Sequence, residues 1–324
     1  MTKMMRMGAA VGAAGLLTVL AACTSGASSD WDGLAKGVGT VEDPRGEAAS
    51  YPSINQAEAV AVLAGCNDAA ERAYKDLDVT ILEEVVGGSL LQRSAAEIAR
   101  FASQPEADSE AIVDRQYTDP RIIIPGSGGR WWMADVAVVS DGSRQLLTFS
   151  EGEEGQWLLV SAITLDAELP AIAVDERGFA RIAPDDDLSG RFMPRDAVAA
   201  YQDLWETGGE GPGSPLATTP GGQEVLELRT PADQLLVARY ASTAPEHTDS
   251  WTLRTEEGGT VTVGHFAHTE TITGFRVPGP VPPGGDPEPH NPLITHHTGE
   301  LAMWIPAAES PEILGAQWSA IGVG

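Results

Sequence analysis

All six histidines of the chain lie in its last part: His247, His265, His268, His290, His296 and His297. Clustered imidazoles are what a zinc site would need, but a metal takes three or four convergent ligands with a supporting outer shell. On a strand, His265 and His268 point to opposite faces, because their separation is odd. His296 and His297 are adjacent and diverge in the same way. A convergent set must therefore draw one member from each pair, and ordinary strand and loop histidines are the expected reading. No metal is expected.

The other chemistry-bearing types are sparse. Beyond Lys3, the only lysines are Lys36 and Lys75, and neither has Ser three residues before it. The Ser-x-x-Lys arrangement of penicillin-binding enzymes is thus absent. The "PGSGG" stretch has Pro125 where a nucleophile elbow needs its first Gly, and "GSGGR" lacks the Gly-Lys-Ser/Thr ending that cradles phosphate. Two acidic stretches, "VDERG" and "PDDDLSG", lack the alternating spacing of a calcium loop. Glu83-Glu84 and Glu153-Glu154 are adjacent carboxylates, which seldom face one another on a helix or turn. No catalytic residue and no cofactor is expected. Trp131-Trp132 is the remaining candidate. On a strand one indole faces the helices and the other faces out, to meet a ligand, a partner or a second domain.

The cysteines divide cleanly. Lys3 and Arg6 form a basic head, an uncharged run follows from Met7 to Ala22, and Cys23 comes next. That run is shorter than the roughly 20 apolar residues a spanning helix needs. A basic head, a short apolar run and small residues before a cut describe a secretory signal peptide. Leu20-Ala21-Ala22-Cys23 resembles the lipobox of bacterial lipoproteins, which implies lipidation at Cys23, and two acyl chains suffice for stable anchoring. Cys66 is left without a partner, so no intrachain disulfide is expected.

The chain holds 20 basic against 47 acidic residues, a net charge of −27. Such a surface repels phosphate backbones, and nucleic acid is not an expected partner. It also repels anionic headgroups and holds the body off the membrane to which it is tied.

Elements follow from pattern. Residues 23–50 are rich in Gly, Ser, Ala and Asp and read as a tether reaching roughly 25–30 Å. A capping box at Ser53–Gln56 opens an amphipathic helix with Cys66 on its apolar stripe. A short helix is expected over 79–86, and a further capping box at Ser94 opens a third helix. Residues 115–165 then read as an antiparallel meander, with Asp141-Gly142 at a hairpin. After a linker at 169–192 comes a helix over 194–205, a Gly/Pro loop and a helix start at Thr230-Pro231. Strands "SWTLRT", "TVTVGHFAHTETITGF", "ELAMWIP" and "AQWSAIGV" complete a second meander. Gln156-Trp157 and Gln317-Trp318 open the last strand of each half. The expectation is an α+β protein of two tandem units, 51–168 and 193–324, each with helices on one face of a curved antiparallel sheet.

Together with the lipobox, "EEVVGGSLLQR", "RIIIPGSGGRWWMADV", "LTFSEGEEGQWLLV" and "TLRTEEGGTVTVGHF" resemble a group of actinobacterial lipoproteins of unknown function. The resemblance implies tandem units similar to NTF2-like or cystatin-like folds and brings no catalytic residues. The expected protein is a lipid-anchored, extracytoplasmic, non-catalytic binding or interaction module whose partner is a protein or another envelope component. The alternative is a small-molecule binder or enzyme using the concave side of an NTF2-like sheet. The inside of that cone discriminates: converging polar groups favour the small molecule, whereas packed Leu, Val and Trp favour the interaction module.

Overall fold

The computed structural model describes residues 52–103, 116–126, 129–188, 190, 192–230, 237–273 and 292–323. All of them belong to one compact unit, Ser50–Gly324. Cys23, the signal and tether residues and His290 lie outside the described residues, as does the helix start at Thr230-Pro231 beyond Thr230.

Helix α1 (Gln56–Asp76) buries Ala59, Leu63, Cys66, Ala69, Ala73 and Tyr74 on one side. Its cap is Asn55, whose side chain accepts from the Glu58 amide while Glu58 reaches back to the Asn55 amide. The expected cap, Ser53, instead donates to the Gly129 carbonyl at 2.8 Å. Asn55 wins because it has Glu, a charged acceptor, three residues on, where Ser53 has Gln. The helix expected over 79–86 is a single 3-10 turn, Val79–Ile81. Its end is drawn into an extended bridge between Val86 and Leu159. Helix α2 (Gly88–Ser103) starts earlier than Ser94, which lies buried within it.

The first sheet is a meander of β1 (Tyr117–Ile123), β2 (Trp131–Val138), β3 (Arg144–Glu151) and β4 (Trp157–Thr164), all antiparallel. The hairpin between β2 and β3 turns at Gly142, whose φ of 70° favours glycine. Period-2 alternation sorts its side chains. Trp132, Ala134, Val136, Leu147 and Phe149 join the α1/α2 core, while Met133, Leu146 and Ile163 face the other way.

The second half has α3 (Ala197–Glu206), α4 (Pro220–Leu228) and strands β5 (Val237–Thr243), β6 (Ser250–Arg254), β7 (Thr260–Thr273), β8 (Leu293–Ile305) and β9 (Glu312–Val323). Its strand order is β5-β7-β8-β9, with β6 also on β7. Helix α4 stands where a loop was expected; Thr219 caps it and Pro220 opens it. Strand β8 begins at Leu293, so it is longer than "ELAMWIP", and Gln317-Trp318 falls inside β9 rather than at its start.

The two sheets pack on one another. Val261, Val263, Ala302 and Leu314 of the second sheet share a core with Met133, Leu146 and Ile163 of the first. On the far face, Phe266, Leu301, Met303 and Ile305 pack under Tyr201, Leu204 and Trp205 of α3. The layer order is helices, sheet, sheet, helices. At the seam β9 comes so near β4 that a Cβ on Gly315 would sit 2.1 Å from the Thr164 carbonyl oxygen. The Asp166 amide donates to the Leu314 carbonyl there at 2.8 Å. The segment expected as a linker is itself packed, with Leu169 and Ala180 buried and bridges from Ile172 to Thr255 and from Ile182 to Leu253.

Candidate functional site

The helix-covered side of the first sheet is packed in part, by Trp132, Leu147 and Phe149 against Leu63, Leu82 and Leu90. A cavity of about 390 Å³ opens between α1, α2 and the sheet. Helical spacing places Asn67, Glu71 and Tyr74 on one wall, and Leu90, Arg93 and Ser94 on another. The β2–β3 hairpin brings Asp141 and Gln145, β4 brings Leu159 and Thr164, and β9 of the second half brings Gln317.

Most polar groups around the cavity are engaged with each other. Asn67 exchanges two hydrogen bonds with the Tyr117 backbone, each 3.4 Å. The Tyr74 hydroxyl donates to Glu97 at 2.7 Å, and the Gln116 amide to Glu71 at 3.4 Å. Asp141, at the exposed rim, accepts from the Ser143 amide at 2.9 Å, and its carboxyl is held below the usual range by hydrogen bonds to Ser143. Gln145 Nε2 donates to Thr164 Oγ1 at 3.2 Å, but its Oε1 is buried without a donor among the described residues. Cys66 is buried on the same wall, and burial pushes its thiol up to about 12, which makes it unreactive.

Arg93 lines the cavity from α2. Its Nε donates to Glu300 Oε1 at 3.2 Å, its Nη2 lies 2.7 Å from Oε2, and Nη2 also donates to the Ala162 carbonyl at 3.4 Å. Burial raises the Glu300 carboxyl to about 7 against the pull of Arg93. Beside this pair, Ser89 Oγ lies 2.5 Å from His265 Nδ1. The Ser–His contact suggests a nucleophile, yet both residues are buried between α2 and β7, and neither lines the cavity. Burial also lowers His265 to about 4. The pair ties the two halves together.

The histidines divide by face. His268 and His297, one member from each sequence pair, sit opposite each other on β7 and β8 and stack with ring centroids 4.8 Å apart. Trp205, Tyr240 and Trp318 enclose them. His297 Nε2 lies 3.4 Å from Glu270, which accepts from the Tyr240 hydroxyl at 2.9 Å. Burial lowers His268 to about 4; His297 is also lowered by burial, although Glu270 opposes the shift. His296 lies exposed on the other face, 3.3 Å from Thr269 Oγ1. Among the described residues, no three His, Cys, Asp or Glu side chains converge to hold a metal ion. Trp132 is fully buried in the first core, stacked on Phe149 at 4.0 Å, and half-buried Trp131 packs against the core between the sheets. In the acidic stretches, Asp175 accepts from the Arg177 and Phe179 amides and Asp187 pairs with Arg254. Glu83, Glu84, Glu153 and Glu154 are exposed.

Sequence reasoning did not single out Arg93, Gln145 or Glu300. One signal was present for Glu300, a lone carboxylate opening the apolar run "GELAMWI". A charge in such a strand calls for a buried partner.

No helix of the described residues is long and apolar enough to cross a membrane. No solved structure matches the chain. An uncharacterized lipoprotein of Streptomyces avermitilis is 28% identical over 169 residues, 51% of each chain. The uncharacterized lipoprotein SCO6871 of Streptomyces coelicolor is 26% identical over 238 residues, 68% of this chain and 66% of its own length. The chain thus spans between about half and two thirds of these relatives' length. Residues 50–296 match a domain of unknown function, DUF8094, and the chain belongs to that family of uncharacterised actinobacterial lipoproteins.

Proposed function

We propose that the chain is a lipid-anchored extracytoplasmic binding protein that holds a small molecule in the cavity of its first helix-and-sheet layer pair. Residues 1–22 serve as the export signal, Cys23 carries the lipid, and 23–50 tether the acidic body outside the cytoplasmic membrane. The two halves are tandem units of NTF2-like or cystatin-like character. The observation that carries this reading is the 390 Å³ cavity lined by Asn67, Tyr74, Tyr117 and Gln145. Its volume lies within the range of about 300–1,000 Å³ typical of small-molecule sites. Polar groups line it beside a packed core of Trp132, Leu147 and Phe149. The role is binding rather than catalysis: the Cys66 thiol is inert, and the Ser89–His265 pair is sealed away from the cavity.

Native mass spectrometry of the full chain, purified from the cells that make it, tests this. A small-molecule adduct is expected on the wild type and is lost in Ala70→Trp, which fills the cavity from α1. An adduct that survives in Ala70→Trp, or none on either protein, overturns the reading.

A further inference from the structure

The cavity's chemistry narrows the ligand class, an inference that rests on the small-molecule reading above. We infer that the ligand is a neutral, multiply hydroxylated molecule, a saccharide of one or more rings.

Charge decides first. Arg93 is the one cation among the described residues that line the cavity; Glu300 balances its charge, and its Nε and Nη2 are engaged by Glu300 and the Ala162 carbonyl, while Arg100, on the outer groove, lies 4.0 Å from Glu97. A phosphate or carboxylate ligand would need a free guanidinium or ammonium group, and it would meet a protein of net charge −27. An ammonium ligand would need a carboxylate in the depth of the site. Glu71 and Asp141 stand exposed, Glu71 accepting from Gln116 and Asp141 from Ser143. Glu300, the buried carboxylate, lies behind Arg93 and is neutralised by it.

The neutral groups then define the fit. Gln145 Oε1 is a buried acceptor without a donor. The atom is closed to solvent in this conformation, so a ligand O–H or N–H meets it only when the Gln145 side chain turns towards the cavity, and the contact then offsets the desolvation cost the atom carries. Ser94, Thr164 and Gln317 add hydroxyl and amide groups nearby, while Leu82, Val86 and Leu159 supply an apolar wall. A sugar ring matches this division, with hydroxyls at its edge and C–H groups on its face. Past Leu90, Arg93, Ser94 and Gln317, which line both spaces, a groove of about 370 Å³ continues between α2 and β9 towards Ser319. The site therefore has room for more than one ring, and a longer saccharide binds more tightly than its monomer.

Isothermal titration calorimetry on the full chain, in a detergent without a sugar headgroup, tests the inference. The neutral probes are glucose, cellobiose, N-acetylglucosamine and its β-1,4 dimer; the charged probes are glucose 6-phosphate and putrescine. At least one neutral saccharide is expected to saturate a single site, with Kd raised about tenfold or more in Gln145→Leu, the equivalent of one hydrogen bond to the ligand. If Gln145→Leu fails to fold, Gln317→Leu on the exposed half of β9 is the second variant, with Kd raised in the same direction. Preferential binding of glucose 6-phosphate or putrescine, sensitive to the same variants, overturns the saccharide inference and leaves the cavity reading standing. No saturable binding of any neutral probe up to about 10 mM, weaker than ordinary specific recognition, overturns the inference as well. In that case the mass-spectrometric adduct decides separately whether the cavity is a site at all.

Discussion

Arg93 on α2 and Glu300 on β8 form a buried ion pair with a closest approach of 2.7 Å across a sequence separation of 207 residues. The carboxylate is fully buried and the guanidinium nearly so. The pair does two jobs. It joins the helix of the first half to the sheet of the second, and it consumes the one cation that lines the cavity. Removing one partner leaves an uncompensated charge in a dry place, whereas removing both leaves none. Arg93→Met is therefore expected to lose about 3 kcal/mol of stability, and the double variant Arg93→Met/Glu300→Leu to recover most of it. Urea unfolding of the three proteins measures this. A double variant no more stable than the single one contradicts it.

The stacked pair His268 and His297 makes stability depend on pH. In the unfolded chain an imidazole takes its proton near pH 6.5. In the fold His268 resists protonation down to about 4, because it is buried and faces His297. His297 is lowered as well by burial, although Glu270, 3.4 Å away, opposes the shift. The unfolded state thus binds more protons in this window, so stability is full above about pH 6.5 and falls as pH drops towards 4. Glu300 acts with the opposite sign. Its raised folded value, about 7, makes its contribution fullest below about pH 4.5 and lost as pH rises through 7. Thermal midpoints between pH 4 and 8 separate the two: His268→Phe is expected to flatten the acid limb, and Glu300→Gln the neutral limb. An acid limb unchanged in His268→Phe contradicts the assignment.

Trp132 stacks on Phe149 at 4.0 Å with planes 2° apart, and it is fully buried. Trp132→Ala is expected to cost about 3–5 kcal/mol, as buried aromatic truncations do. Its neighbour in sequence, half-buried Trp131, faces the core between the sheets and is expected to cost less on truncation. Denaturant midpoints of the two variants give the order, and an equal or reversed order speaks against the facing described here.

The anchor makes a separate prediction. Cys23→Ser is expected to leave the precursor uncut and the mature protein absent from the membrane fraction. Fractionation and mass measurement check this. Unchanged processing and membrane recovery contradict lipidation at Cys23.

Local pattern made much of the fold legible. The first meander followed from alternation and from Asp141-Gly142, and α1 followed from its apolar stripe. The misses have physical causes. Helix α4 was hidden because Gly221 and Gly222 follow Pro220 in a stretch that reads as loop, although Thr219-Pro220 is itself a cap followed by an opening proline. The early part of β8, "LITHHTGE", carries too many polar residues to look like a strand; pairing on both sides with β7 and β9 holds it extended. The cavity was the least legible feature. Gln145, Arg93 and Gln317 meet only because α2 runs from the edge of β4 onto the second sheet, and no local spacing encodes that crossing. The histidine clustering pointed elsewhere, to a stacked pair enclosed by aromatic rings.

The claim that matters most is that the first unit's cavity is a ligand site. An experimental electron-density map of the full chain, crystallised after incubation with a small-molecule extract of the producing cells, tests it most directly. The account predicts connected density within the cavity, with a polar atom at hydrogen-bonding distance from Gln145 Oε1. A cavity closed by its own side chains, or density only at another site, would contradict it.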